Sequence, residues 1–266
     1  MLISGGMSYL VPELLAQFTE FGIEESQIDN LLILHAHFDH VGVVPFLKRR
    51  NPSLKVYASA RGWEVLEMPK AIATINDFSR KVAERMGKMD VYEQYEVEWR
   101  DDVDGEPLSE GDRIDLGDLE IEIYEIPGHS SCSIAAYAVQ FRSLFPSDGG
   151  GIPYKDTILA SGNSNYTLYQ SSLEKLADLD VDYLCADHYG YVSGDEARDY
   201  MHRSIDLAQK HRAFIEEVYQ RSGDMDTAVG EIVDIFFKRN PNYIIAPEIY
   251  VGIYRQIVRH IAGALE

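Results

Sequence analysis

Six residues, His35-Ala36-His37-Phe38-Asp39-His40, follow directly on the apolar run Leu31-Leu32-Ile33-Leu34. A buried strand that runs into a tight loop can aim several donors at one point, and this loop carries three imidazoles and a carboxylate. Imidazole nitrogen and carboxylate oxygen together suit zinc, iron or manganese. The zinc-protease helix, H-E-x-x-H, uses similar donors but sets its histidines four apart on one helical face. Here the spacing is two and then three, which places the donors on a loop. The competing reading, a polar loop with coincidental histidines, weakens as the rest of the chain is read.

The flanking pattern gives the loop a frame. Apolar residues Leu14, Leu15, Phe18 and Phe21 follow a helical period, and residues 29–34 read as a buried strand. A helix is expected over 41–50 and a second strand over 54–58. The stripe Ile75, Phe78, Val82 and Met86 marks an inserted amphipathic helix within residues 69–95. It can serve as a core helix or as a lid over the site; a lid is favoured because the segment interrupts a strand-rich region. Ile114 and Leu116, a turn at Gly117-Asp118, then Leu119, Ile121 and Ile123 read as a hairpin with one buried face. Further strands are expected at 133–139 and 143–145. From Asp195 the pattern turns helical, with Ile205, Ala208, Ile215 and Val218 in one segment and Tyr254, Ile257, Val258 and Ile261 in the last. Asn240-Pro241-Asn242 and Ala246-Pro247 break the helices between them.

Composition narrows the partners. With 44 acidic against 24 basic residues the net charge is −20, and a surface of that sign repels polyanions. Nucleic acid is excluded as the expected substrate, because such binding draws on Lys and Arg neutralising phosphates. The clusters Lys48-Arg49-Arg50 and Arg80-Lys81 are short and read as solvated helix faces. No run of eighteen apolar residues and no basic-then-apolar leader occurs, so no membrane span is expected. Two cysteines, Cys132 and Cys185, are too few for a disulfide framework and fit a reducing compartment, with cytoplasm the default. Both read as small buried residues outside the chemistry.

Three further residues stand at the ends of expected strands: His129 in Gly-His-Ser, Asp148 in Phe-Pro-Ser-Asp-Gly, and His188 in Ala-Asp-His-Tyr. The remaining histidines, His202, His211 and His260, fall on expected helices and read as surface or capping residues. The ordered series, H-x-H-x-D-H, Gly-His-Ser, Ser-Asp and a late histidine, resembles the metallo-β-lactamase superfamily of hydrolases over roughly residues 1–190. The resemblance implies an α/β fold, an αββα sandwich with metals along one edge, over residues 1–194, with 195–266 as a C-terminal helical segment packing over the active site. It also implies two divalent metal ions, zinc or iron or manganese. His35, His37 and His129 would hold the first; Asp39, His40 and His188 would hold the second; Asp148 would bridge them. A glutamate stands at the position of His37 in the related flavodiiron proteins, and the monoiron dioxygenases leave the second site unused. The full ligand set therefore favours a dinuclear hydrolase. Two cations about 3.5–4 Å apart can hold a bridging hydroxide as nucleophile and polarise the oxygen of the bond to be cut.

Fold and metal do not name a substrate. Residues 31–60, the insertion at 69–95 and the segment Pro247-Glu248-Ile249-Tyr250-Val251-Gly252 are similar to quinolone-signal response proteins of the PqsE type, thioesterases of this fold. An acyl (CoA) thioesterase is the first expectation, its helical segment walling off a narrow, partly apolar pocket. A lactone or carboxylic ester hydrolase is the second, with Tyr166 or Tyr189 as the candidate oxyanion donor, although a structural tyrosine is the favoured reading of either. The third is a regulatory protein that keeps the metal site and acts through partner contacts on its C-terminal helices. The chain also departs from the family pattern. It starts where Leu2-Ile3-Ser4-Gly5-Gly6 fills a later strand, which implies a truncated or short N-terminal sheet edge that a second copy, in a homodimer, could cover. Ser4 stands near the place of the family's first-strand aspartate. Ser147 and Asp187 stand where glycine is common, and Gly149-Gly150-Gly151 is expected to leave its loop mobile.

Overall fold

The computed structural model describes residues 1–243 and 245–264. The chain divides into two compact units, one built from Met1–Glu125 and Cys132–Ser147, the other from Ile126–Ser131 and the chain from Asp148 onward.

The first unit contains, in chain order, β1 (Leu2–Ile3), α1 (Val11–Glu20), β2 (Asn30–Leu32), α2 (Phe38–Val41), α3 (Val44–Arg50), β3 (Lys55–Ser59), α4 (Ala60–Leu66), α5 (Pro69–Arg85) and α6 (Met89–Gln94). Then come β4 (Glu106–Leu108), β5 (Arg113–Asp115), β6 (Glu120–Glu125), β7 (Ile134–Ala138) and β8 (Ser143–Phe145). β1 to β4 form a parallel sheet in that order, with Leu2 opposite Leu31, Leu31 opposite Val56 and Tyr57 opposite Glu106. β5 to β8 form an antiparallel ladder, Ile114 facing Ile121, Ile123 facing Ala136 and Tyr137 facing Leu144.

The unbroken apolar run before the histidines is explained by burial on both faces. Leu31 and Ile33 enter the cluster with Val56, Ala58, Phe46 and Trp63, which the helices cover. Leu32 and Leu34, pointing the other way by the period-two rule, enter the cluster with Ile121, Ile123, Ile134 and Ala136. Ile134 N–H donates to Leu34 O at 2.9 Å, tying the two layers together.

The insertion is two helices rather than one. Gly87, at φ +65°, follows α5 and lets the chain turn into α6. The α5 stripe is core packing: Ile75 and Ala83 are buried, Phe78 lies 5.6 Å from the Phe38 ring, and Asn76 clamps the backbone of Trp99 through both its amide atoms. Only Met86, at the stripe's end, is exposed. The expected helix over 41–50 is likewise broken, into α2 and α3.

The second unit contains β9 (Ile152–Tyr154), β10 (Thr157–Leu159), α7 (Tyr166–Ala177), β11 (Tyr183–Cys185), β12 (Tyr191–Ser193), α8 (Asp195–Ser222), α9 (Met225–Arg239) and α10 (Pro247–Gly263). β9 with β10 and β11 with β12 are antiparallel hairpins. Asn165 and Asp224 accept the backbone N–H groups of Leu168 and Thr227, the side-chain caps that start α7 and α9, and Pro247 opens α10. The expected helical stripes face inward: Ala208, Ile215, Val218, Ile257, Val258 and Ile261 are all buried. Among the described residues no helix is long and apolar enough to cross a membrane.

His211 is not a surface residue. Its ring lies inside the helical layers of this unit, between the hydroxyls of Tyr166 and Tyr254. Its position on a polar-looking stretch of α8 hides the fact that both hydroxyls come from other helices.

Candidate metal centre

Each unit carries its own set of donors. In the first, β2 ends just before His35, and the chain then folds into the single turn of α2, with His40 N–H donating to His37 O at 3.0 Å. That turn brings the four donors of the hexapeptide into two pairs. His35 Nε2 and His37 Nδ1 are 3.1 Å apart, and His40 Nε2 lies 3.5 Å from Asp39 Oδ2. His35 and His40 are 1% exposed, with ring centroids 4.0 Å apart.

Serines stand behind both buried rings. Ser147 Oγ is 3.0 Å from His35 Nδ1, and Ser4 Oγ is 3.3 Å from His40 Nδ1. When each Nδ1–H donates to its hydroxyl oxygen, each Nε2 keeps its lone pair. The sequence marks both serines as departures from a family pattern and says nothing of these contacts.

In the second unit, Gly128 sets up His129. Its φ of +135° lies where side-chain-bearing residues are strained, and an added Cβ would run into the backbone of Tyr169. Ser164 and Asn165 both donate their N–H to Gly128 O, and Ser172 Oγ donates to Pro127 O. His129 Nδ1–H donates to Ser161 O at 2.8 Å, which leaves Nε2 as the lone-pair nitrogen. Ser161 Oγ in turn donates to Asp148 O. Asp148, 5% exposed, divides its two oxygens: Oδ2 lies 3.6 Å from His129 Nε2 and Oδ1 lies 3.5 Å from His188 Nε2. A carboxylate placed this way can ligate two ions at once.

The donor spacing fits a metal. Zinc–nitrogen bonds of about 2.0–2.1 Å in a tetrahedral shell set neighbouring donors about 3.3 Å apart. The His35–His37 pair at 3.1 Å and the two Asp148 pairs at 3.5 and 3.6 Å bracket that separation. Two imidazole lone pairs at 3.1 Å would repel without a cation or proton between them.

Two expectations about neighbouring residues, the glycine run and Cys185, are corrected. The run Gly149-Gly150-Gly151 is buried and packed, not left loose: a Cβ on Gly149 would collide with Ile126, and one on Gly151, at φ +91°, with Ile158. Tyr166 has the structural role favoured for it: it is fully buried, donates to Ala208 O at 3.0 Å and meets His211 Nδ1 at 2.9 Å, which leaves Tyr189 as the candidate donor. Cys185 is only half-buried rather than fully so, although burial still raises its thiol pKa. Cys132 is buried, as expected, and its carbonyl accepts Ser59 Oγ at 2.7 Å; the two cysteines are thiols, not a disulfide. Tyr189, next to His188, is 60% exposed, and burial together with Tyr154 raises its pKa, so its hydroxyl keeps its proton.

Comparison with known proteins places this arrangement. The profile of the Metallo-beta-lactamase superfamily matches residues 5–188, a span that includes all seven donors. The metallo-beta-lactamase fold-containing protein ST1585 of Sulfurisphaera tokodaii is 23% identical over 211 residues, covering 78% of this chain and 74% of that protein. Among solved structures, the metallo-beta-lactamase family protein TTHA1429 from Thermus thermophilus is similar with a TM-score of 0.68 at 17% identity, covering 98% of this chain and 84% of the other. A beta-lactamase domain protein from Burkholderia ambifaria has a TM-score of 0.66 at 17% identity, covering 99% and 77%. At such identities these structures speak for the fold alone.

Proposed function

Because this chain belongs to the metallo-β-lactamase superfamily, whose members are generally metal-dependent hydrolases, we propose that it is a dinuclear metal-dependent hydrolase acting on acyl thioesters. The observation that carries the metal reading is the split of Asp148, one oxygen toward His129 and the other toward His188. In this reading His35, His37 and His129 would hold one ion, Asp39, His40 and His188 would hold the second, and Asp148 would serve both. Two divalent cations there would supply a water-derived nucleophile at neutral pH and an electrophile for the acyl oxygen.

The chain's own groups do the rest. Ser161 O holds His129 in the tautomer that presents Nε2, and Asp148 is fixed through its backbone by Ser161 Oγ. A thiolate is a good leaving group, so the reaction needs no dedicated acid to protonate it. The acyl-chain wall is assigned to the second unit. From the exposed Tyr189 the rings continue to Tyr154 at 5.5 Å, to the buried Tyr243 at 5.1 Å, and on to Phe236 and Tyr250, an aromatic cluster whose exposed end would favour apolar acyl groups over polar ones.

One observation favours lactone or ester hydrolysis as the second reading. The exposed Tyr189 hydroxyl, kept protonated, is a donor for an oxyanion or for the poorer alkoxide leaving group that such substrates release. The experiment is thiol release from short, branched and aromatic acyl-CoA esters by protein loaded with zinc, iron or manganese, against chelated protein. Metal-dependent release supports the thioesterase reading. Silence across the panel, with lactone opening by the same loaded protein, replaces it with the second.

A further inference from the structure

We infer that Ser4 and Ser147 are positioning residues for the metal centre, strained serines retained because their hydroxyls fix the two buried imidazoles, His40 and His35. The inference rests on the metal reading above. Two observations coincide at both positions. Ser4 has φ +69° and Ser147 φ +49°, left-handed backbone where an L side chain is disfavoured and glycine is at ease. The same two serines place Oγ against the Nδ1 of a candidate ligand, at 3.3 Å for His40 and 3.0 Å for His35.

Neither strain is needed to make the local turn, since glycine makes it better. Ser4 N–H donates to Leu32 O at 2.8 Å through the backbone, a bond that any residue there would keep. Ser147 is 1% exposed, so its hydroxyl has been carried into the interior, where a polar group without a partner is costly. His35 supplies that partner. With Nδ1–H donating to the serine oxygen, the imidazole is held in the tautomer and rotation that turn Nε2 toward the other donors. Partners of this kind commonly change metal affinity by about 10–100-fold when removed.

The two contributions of each serine, backbone strain and hydroxyl contact, have opposite signs and separate by substitution. Ser147→Gly relieves the strain and removes the hydroxyl; Ser147→Ala keeps the strain and removes the hydroxyl. Zinc affinity of the full chain is measured by competition with a chromophoric chelator, and the melting temperature is measured on chelated protein. Expected for both Ser147 variants is a loss of about 10–100-fold in affinity for one of two zinc ions. Both variants lose the hydroxyl contact, so the strain shows in their difference: the glycine variant should melt higher than the alanine variant, by about 2–4 °C. Ser4→Gly and Ser4→Ala should repeat the pattern on the other ion. Equal zinc affinity in parent and variants overturns the inference alone. So does an affinity loss confined to the glycine variants, which would trace to the backbone. A parent protein that takes up no zinc, iron or manganese overturns the metal reading and this inference with it.

Discussion

His211 makes the stability of the second unit depend on pH in a direction that can be worked from its partners. Its Nδ1 is 2.9 Å from Tyr166 Oη and its Nε2 is 3.0 Å from Tyr254 Oη. Tyr166 gives its own proton to Ala208 O, so it accepts from Nδ1–H, and Nε2 is left to accept from Tyr254. This network is complete with a neutral ring. A second proton would turn Nε2 into a donor, so Tyr254 would have to give up its own donation to the ring. Burial accordingly lowers the His211 pKa from 6.5 to about 4. Between those values the unfolded chain binds a proton that the folded chain does not, so stability rises with pH across the window. The contribution is fully present above the unfolded pKa and is lost as pH falls toward the folded one. At 1.36 kcal/mol per unit the whole effect is about 3 kcal/mol, of which about 2 kcal/mol falls between about pH 8 and pH 5.

The assay is urea unfolding of chelated parent and His211→Gln, followed by helical circular dichroism at the two pH values. The glutamine variant should be less stable at the higher pH, by about 1–3 kcal/mol, because it replaces the two hydroxyl contacts only in part. The gap between parent and variant should then shrink by about 2 kcal/mol at the lower pH, since only the parent carries the titrating ring. Every other group is common to both proteins and drops out of the difference. A gap that stays constant between the two pH values would refute the reasoning.

Three shorter predictions concern the donors and their supports. Asp148→Asn should reduce bound zinc and cut metal-dependent thiol release by more than about 100-fold, the upper range reached by residues one step further from a metal, with the helical circular dichroism unchanged; elemental analysis and turnover check it. Gly128→Ala should destabilise by at least about 2 kcal/mol, the scale of a side chain forced into glycine-only backbone, because the Cβ meets the Tyr169 backbone; a denaturant midpoint equal to that of the parent would contradict it. Tyr189→Phe should leave thioester turnover within about twofold while slowing lactone or ester opening by about 10-fold or more, as loss of an oxyanion donor does; equal slowing of both would remove the donor role.

Some of the site was legible because it is local in the chain. The spacing of His35, His37, Asp39 and His40 and the strand before them report directly on one loop, and alternation in Leu119, Ile121 and Ile123 reports on one hairpin. The helices of the C-terminal segment were legible for the same reason: periodic burial and proline breaks act over a few residues. What was missed is non-local. Ser147 meets His35 across 112 residues and Ser4 meets His40 across 36, and nothing in either neighbourhood marks a serine as an imidazole's partner. Tyr166 reads as structural and His211 as a surface or capping residue, and nothing in either neighbourhood shows that the two, 45 apart, are each other's partners. The glycine run after Asp148 suggests mobility through glycine's freedom, whereas its residues are small because Ile126 and Ile158 press against them.

The sequence by itself determined the candidate donors, their order, the strand that delivers the first four and the superfamily they mark, because those facts rest on residue chemistry and short-range periodicity. Only the tertiary structure decided that serine hydroxyls stand against Nδ1 of His35 and His40, that His129 gives its Nδ1 proton to a carbonyl, that Asp148 turns its oxygens to different imidazoles, and that the α5 stripe is core. Those outcomes depend on which groups meet after the chain has folded back on itself, and a hydrogen bond is chosen by distance in space, which spacing along the chain does not fix.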